Sequence, residues 1–217
     1  MTKQNNFQKE LDVILSKINT ADKPKLLLHA CCGPCSSYVL EYLYKYFQIT
    51  VFYYNPNIYP QEEYTRRLEE LKNLYLKFPP ALEGKIQVIE ETYNPDDFYE
   101  AVKTKKEPEL ATEKERGERC RRCYEFRLKK AFDYAKKNNF DYFCTTLSIS
   151  PFKDAEKINV IGKELEKEDG PKWLVSDFKK KGGFKRSLEI SSEYGLYRQD
   201  YCGCIYSLKT VHFSFSE

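Results

Sequence analysis

Seven of the chain's eight cysteines fall in three short runs: Cys31-Cys32-Gly33-Pro34-Cys35, Cys120-Arg121-Arg122-Cys123 and Cys202-Gly203-Cys204. Thiolates are soft metal ligands, and a C-x-x-C step wraps two sulfurs around one metal in a tight turn. Long stretches of chain separate the runs, so they act together only if the fold brings them to one place. A structural zinc takes four cysteines, and so does an iron–sulfur cluster. Seven exceed that number, which implies a site that does more than brace the fold. Iron–sulfur redox chemistry leads this reading, with zinc and thiol–disulfide chemistry as the competitors. A disulfide between site cysteines is a further state that such a set permits.

Spacing adds detail. Cys31 and Cys32 are adjacent, so their side chains diverge toward different ligands or different metals. Cys120 and Cys123 lie three residues apart in what reads as a first helical turn, hence on one face. There the positive end of the helix dipole is expected to stabilise their thiolates. Gly203 lets the backbone between Cys202 and Cys204 approach a bulky inorganic ligand. Cys144 stands alone in an apolar run and reads as a core thiol. His29, just before the first run, reads as a proton donor or as a satisfied core histidine. Asp200, two residues before Cys202, is a candidate ligand or proton carrier. Its alternative is a surface aspartate in a turn.

The elements that must position these residues alternate between strand and helix. An N-terminal helix over residues 1–20 precedes Lys25–Ala30, an apolar run typical of a strand buried on both faces. Helical spacing follows over Ser36–Phe47, then a strand over Ile49–Tyr54, a long amphipathic helix over Gln61–Phe78 and a strand over Ile86–Ile89. Asn94-Pro95 opens a short helix to Val102, and the charged stretch Lys103–Gly117 reads as a mobile loop. Helix Glu118–Lys137, strand Phe140–Leu147, helix Lys153–Lys167 and strand Trp173–Val175 complete the pattern. The segment from about residue 178 to 217 reads as irregular, carries the last cysteines and is expected to close the metal site. Alternation of this kind gives an α/β fold: a parallel sheet with helices on both faces, here one domain over residues 1–217. Such sheets bind ligands beyond the carboxyl ends of their strands. The first cysteine run sits at that edge.

Composition narrows the class. Hydrophobic residues make up 41% and aromatic residues 15%, which is globular. No run approaches the ~20 apolar residues of a membrane span, and a cytoplasmic location without membrane association is expected. In that compartment thiols stay reduced, so clustered cysteines read as metal-binding or catalytic. A net charge of +3 does not itself argue for nucleic acid. Local clusters are more informative: Lys179, Lys180, Lys181, Lys185 and Arg186 form a Gly-hinged basic stretch, and Arg121 and Arg122 lie between two cysteines. These residues read either as phosphate contacts or as a solvated face.

The motifs together resemble the QueH family of epoxyqueuosine reductases. The blocks are His29–Ser36, Tyr54–Ile58 with Glu63, Tyr64 and Arg67, Gly117–Tyr124 with Arg127-Leu128, Thr145–Asp154, and Leu196–Cys204. They occur in family order over roughly residues 25 to 207. The resemblance implies reduction of epoxyqueuosine to queuosine at the wobble position of tRNA, a fold of the HUP or PP-loop-like Rossmannoid group, a [4Fe-4S] cluster and an adjacent mononuclear iron. Zinc in that second position is possible in purified protein. All seven clustered cysteines are the expected ligands, with their division between centres open. Asp200, His29 and Tyr201 are the candidate proton donors, and an electron donor that the residues do not identify is required. Where PP-loop ATPases carry a Ser-Gly-Gly-x-Asp-Ser phosphate loop, this chain has Cys-Cys-Gly-Pro-Cys-Ser, so ATP is not expected. Two alternatives accompany this reading: a zinc-stabilised nucleic-acid-binding module without catalysis, and a tRNA sulfur-transfer enzyme of the PP-loop class.

Overall fold

A computed structural model describes residues 6–208 of the chain. Residues 1–5 of the expected N-terminal helix, and 209–217 of the C-terminal segment, lie outside the described residues. In chain order the elements are α1 (Phe7–Leu15), β1 (Lys25–His29), α2 (Gly33–Leu43), β2 (Gln48–Tyr53), α3 (Gln61–Tyr75), α4 (Pro79–Glu83), β3 (Gln87–Glu90), α5 (Pro95–Val102), α6 (Glu109–Thr112), α7 (Glu118–Lys137), β4 (Tyr142–Thr145), a 3-10 turn (Thr146–Ile149), α8 (Ala155–Glu166), β5 (Lys172–Trp173) and α9 (Gly183–Glu193).

The strands form one parallel sheet in the order β3-β2-β1-β4-β5. Successive side chains on a strand face opposite sides, and the sequence of β1 uses both. Leu26 and Leu28 pack with Val39, Leu43 and Leu71 from α2 and α3, while Leu27 packs with Leu128 of α7 and Phe143 of β4. The centre of the strand, Leu26–Leu28, is apolar on both faces because helices cover both of them. From β1 the chain winds outward through β2 and β3, then crosses to the other side of β1 for β4. The carboxyl ends of β1 and β4 therefore flank the point where strand order reverses, which is where open α/β sheets bind ligands. His29 and Thr145 are register partners there, and Cys31 follows two residues later.

The expected strands and main helices form, with several boundary differences. The long helix expected to Phe78 ends at Tyr75, and Pro79-Pro80 starts α4 instead of only stopping α3. Proline at a first helical position fits because its missing N–H has no intrahelical partner to lose. A single turn, α6, forms inside the stretch expected to be a loop.

The larger correction concerns the C-terminal segment, which is not irregular throughout. Gly182, at φ 74°, turns the chain into the eleven-residue helix α9, which packs along α2. Ile190 of α9 enters the core beside Leu40 and Phe178. The fit at Gly183 is close: a Cβ there would lie 2.0 Å from the Phe178 carbonyl oxygen and 2.4 Å from the Tyr38 ring. Gly183→Ala is expected to cost about 1–3 kcal/mol by overpacking, read as a lower midpoint in chemical denaturation. Wild-type stability in that variant would mean that α9 is not seated as described.

Candidate metal centre and substrate cavity

The first cysteine run is shaped by the start of α2. Cys32 is the N-cap, its sulfur accepting the Cys35 backbone N–H at 3.3 Å, and Pro34 occupies the first turn. This bend gathers the Cys31, Cys32 and Cys35 sulfurs within 4.8 Å of one another. Their protons are shared unequally. Hydrogen bonds from the Cys32 and Cys35 thiols hold Cys31 well below its ordinary value, with help from Arg127. Burial pushes Cys32 up to about 12, and Cys35 is also raised, by its neighbours Cys31 and Cys32. Three sulfurs this close accommodate one negative charge readily and further charges only with a cation.

The other four thiols form a looser set: among the described residues only the first run gathers three ligand atoms within 4.8 Å, and Cys120, Cys123 and Cys204 are linked through the charge of Cys202. Cys120 lies in the first turn of α7 and Cys123 in the second, and both are buried. Burial raises both, Cys123 to about 11, so desolvation overrides the dipole stabilisation expected from the sequence. The α7 N-terminus is in any case already occupied: the Glu113 carboxylate accepts the backbone N–H groups of Glu118 and Arg119 at 2.7 and 2.8 Å. Cys202 is held well below its ordinary value by a hydrogen bond from the Cys204 thiol and by Lys153. Its charge is felt at both Cys120 and Cys123.

The chain around Cys202 is fastened to α3 and the loop before it. Arg67 Nη1 donates to the Cys202 carbonyl at 3.3 Å, the Tyr59 N–H donates to the Gly203 carbonyl at 2.8 Å, and the Tyr201 hydroxyl donates to the Tyr59 carbonyl at 2.6 Å. Gly203 adopts φ 117°, and a Cβ there would lie 2.9 Å from Arg67 Nη1. A glycine is needed at this position. Cys144 stays apart, its thiol donating to the Leu174 carbonyl at 3.3 Å in the core.

Between the two sulfur groups lie buried cations. Arg127 is 2% exposed; its Nη1 donates to Asn55 Oδ1 at 3.0 Å and its Nε has no partner. Burial alone would lower the Arg127 guanidinium, but Cys123, Cys31 and Cys202 overcome this and raise it. Lys153 is 7% exposed, with its Nζ 2.5 Å from the Cys202 sulfur. Burial works against its ammonium too, and the Cys202 thiolate overrides it. Among the described residues no carboxylate forms an ion pair with Arg127 or Lys153. An unpaired buried charge costs several kcal/mol, so thiolate sulfur is the counter-charge that these two cations require.

A cavity of about 430 Å³ opens onto both groups, lined by Cys31, Cys35, Cys202, Glu115, Lys153 and Asp200 among others. Structural zinc sites are closed, whereas working metal centres keep an open side. The all-thiolate donor set, the compensating cations and the open side together fit an iron–sulfur centre that meets a substrate.

The candidate proton donors are placed differently from one another. His29 is fully buried and lies outside the cavity. Its Nδ1 is 2.8 Å from Thr145 Oγ1, its Nε2 is 3.1 Å from the Tyr54 carbonyl, and burial lowers it to about 3. It is a neutral strap across three strands. Tyr201 lines the cavity, but its hydroxyl donates to Tyr59 and burial pushes it up to about 12. Asp200 lines the cavity and is exposed.

Of the candidate phosphate contacts, most are spent on neighbours. Arg121 pairs with Glu118 and Glu125, Arg122 with Glu107 and Glu118, Arg186 with Glu41, Glu189 and Glu193, Lys181 with Asp12, and Lys179 with Asp177. Lys180 and Lys185 alone of the seven carry no ion pair among the described residues.

Several residues escaped the sequence reading. Gln199 donates from Nε2 to the Cys32 sulfur at 3.2 Å, and its Oε1 is buried without a partner. Glu115 lines the cavity without a hydrogen-bond or ion-pair partner, its carboxyl raised by burial. Gln199 and Lys153 lie inside the quoted motifs, which is their only sequence signal. A single glutamate in a charged loop carries none.

Residues 26–210 match the family described as "Epoxyqueuosine reductase QueH". Relatives bearing that name include one from Streptococcus pyogenes serotype M1, 41% identical over 86% of this chain and 71% of its own length. Another, from Staphylococcus aureus, is 38% identical over 95% of this chain and 87% of its own length. Among solved structures, the U34-tRNA thiolase NcsA from Methanococcus maripaludis with its [4Fe-4S] cluster is similar at a TM-score of 0.51. That likeness covers 93% of this chain and 68% of NcsA at 14% identity, and it supports the PP-loop-like fold alone. By its family match and its identity to these relatives, the chain belongs to the QueH family of epoxyqueuosine reductases.

Proposed function

We propose that this protein reduces the epoxide of epoxyqueuosine in tRNA to the alkene of queuosine. The observation that carries this reading is the cavity opening onto two thiol groups whose counter-charges are buried cations. Two electrons and two protons enter, both bonds to the epoxide oxygen break, a carbon–carbon double bond forms and the oxygen leaves as water. The electrons come from a donor still to be identified.

Cys120, Cys123, Cys202 and Cys204 supply the four thiolates that a [4Fe-4S] cluster takes. Cys31, Cys32 and Cys35, whose sulfurs lie within 4.8 Å of one another, would hold a second iron beside the cavity. When bound, these groups supply electrons one at a time and polarise the C–O bond. The protein's own residues do the rest. Lys153 and Arg127 hold the local negative charge in place. Gln199 N–H orients the Cys32 sulfur. Leu147, Ile149 and Pro151 give the cavity an apolar wall that keeps water from the reacting atoms. Asn57 offers a buried Oδ1 without a partner to a base edge. Lys180 and Lys185 remain available for backbone phosphates.

A proton must reach the leaving oxygen, and Glu115 is placed to hold it. Its carboxyl lines the cavity, forms no hydrogen bond or ion pair among the described residues, and is raised by burial against the opposing pull of Lys153. No observation favours the zinc module, whose site would be closed. The sulfur-transfer reading lacks its phosphate loop.

Anaerobic turnover with a strong reductant on tRNA carrying epoxyqueuosine is expected to yield queuosine, from a brown protein containing iron and sulfide. A colourless protein with stoichiometric zinc and no product would reject the reading. Glu115→Gln is expected to lower kcat about 10²–10⁴-fold, with KM and visible absorption unchanged. An unaltered kcat would remove Glu115 from the proton path.

A further inference from the structure

The most exposed aromatic ring at the cavity has no structural use. Phe152 is 66% exposed, although it lines the same cavity as Cys31 and Cys202. Among the described residues no aromatic ring or cation packs on it. Its backbone, by contrast, is fixed. The Phe152 N–H donates to Ser150 Oγ at 3.2 Å, and Arg116 donates to the carbonyls of both Pro151 and Phe152. The next residue, Lys153, is anchored at the Cys202 sulfur. The fold thus holds a flat apolar ring at the rim, at a fixed distance from the sulfur groups, and leaves its surface to solvent.

Leu188, 42% exposed, contributes to the cavity from α9. Arg198 also lines it, its guanidinium bonded among the described residues to Ser187 and Ser191 and lying 5.7 Å from the Phe184 ring centre. An apolar ring with a nearby cation free of any carboxylate suits an uncharged planar group attached to phosphate. A nucleotide delivered on a strand must also bring its neighbours to the rim of the cavity that it enters.

Resting on the proposed tRNA substrate, we propose that Phe152 is the stacking platform for a nucleobase flanking the one that enters the cavity. Its face takes any base, because every base offers a π surface. It therefore contributes affinity and positioning rather than sequence choice. The basic stretch over residues 179–186 cannot replace it, since most of its charge is already paired.

The probe is an anticodon stem-loop RNA carrying epoxyqueuosine, with 2-aminopurine on one side or the other of the modified base. With the wild-type protein, fluorescence at one flank is expected to be quenched on binding. With Phe152→Ala the quench should disappear and Kd rise about tenfold, within the range for loss of one stacked base. Phe152→Trp should restore both and Phe152→Leu neither. Iron content and absorption should be unchanged throughout. Equal quenching and affinity in Phe152→Ala would overturn the stacking role, as would full rescue by leucine. A change in oligomeric state in Phe152→Ala would instead assign the ring to a contact between copies and also overturn it. Wild-type protein that reduces the RNA while Phe152→Ala binds it normally contradicts this inference alone. Wild-type protein that neither binds nor reduces it contradicts the functional reading as well.

Discussion

Two buried cations without carboxylate partners set the terms for the rest of this structure. Arg127 and Lys153 are held in low dielectric with no carboxylate in ion-pair contact among the described residues, and sulfur is their leading counter-charge, with a smaller contribution from Glu115 at Lys153. Burying a charge is unfavourable unless an opposite charge lies close by, so the fold tolerates these residues only where thiolates are present. The converse also holds. Seven thiols in two groups do not ionise together without positive charge: burial already raises Cys32, Cys120 and Cys123, and hydrogen bonding to the neighbouring sulfurs of Cys31, Cys32 and Cys202 raises Cys35 and Cys204. Bound metal ions would complete the balance. The cations and the cysteines are thus one electrostatic unit, assembled from β1, α2, α7, the loop before α8 and the C-terminal segment.

The sheet makes that assembly possible. Reversal of strand order at β1 separates the chain beyond β1 from the chain beyond β4, and the crevice between them receives Cys31 from one side and Lys153 from the other. Helix α7 then delivers Cys120, Cys123 and Arg127 from a single element. Arg127 is placed by Asn55, whose amide also donates to the Ala30 carbonyl at 2.9 Å, so one side chain ties the end of β1 to α7. Arg67, Tyr59 and Tyr201 fasten the C-terminal segment where it lines the cavity. Helix α9, seated against α2 at Gly183, carries the chain to that position.

Much of this was legible in the sequence because it rests on local patterns. The apolar run of β1, the helical spacing of α7 and the three cysteine runs each encode their role within a few residues. Helix α9 was not legible: its sequence is polar, and its short apolar face becomes evident only against α2. The dipole argument for Cys120 and Cys123 missed desolvation, which depends on distant chain, and the carboxylate of Glu113, which the preceding turn folds back onto the helix start. The basic stretch over residues 179–186 looks free in sequence, yet its partners Asp12 and Glu41 lie far away along the chain. Glu115 had no local signal because its distinction is the cavity that it faces. Sequence thus reveals which atoms can bind metal, while burial and pairing decide which charges remain available.

Lys153 is balanced chiefly by the sulfur charge of Cys202. Thermal unfolding of Lys153→Met with and without metal tests it most directly. In the metal-loaded protein, where the sulfurs are anionic, the substitution is expected to lower Tm and iron occupancy. In the metal-free protein, where most thiols hold protons, removing a buried cation should leave Tm unchanged or raise it. An equal loss of Tm in both states would show that Lys153 serves general packing, and would contradict the account.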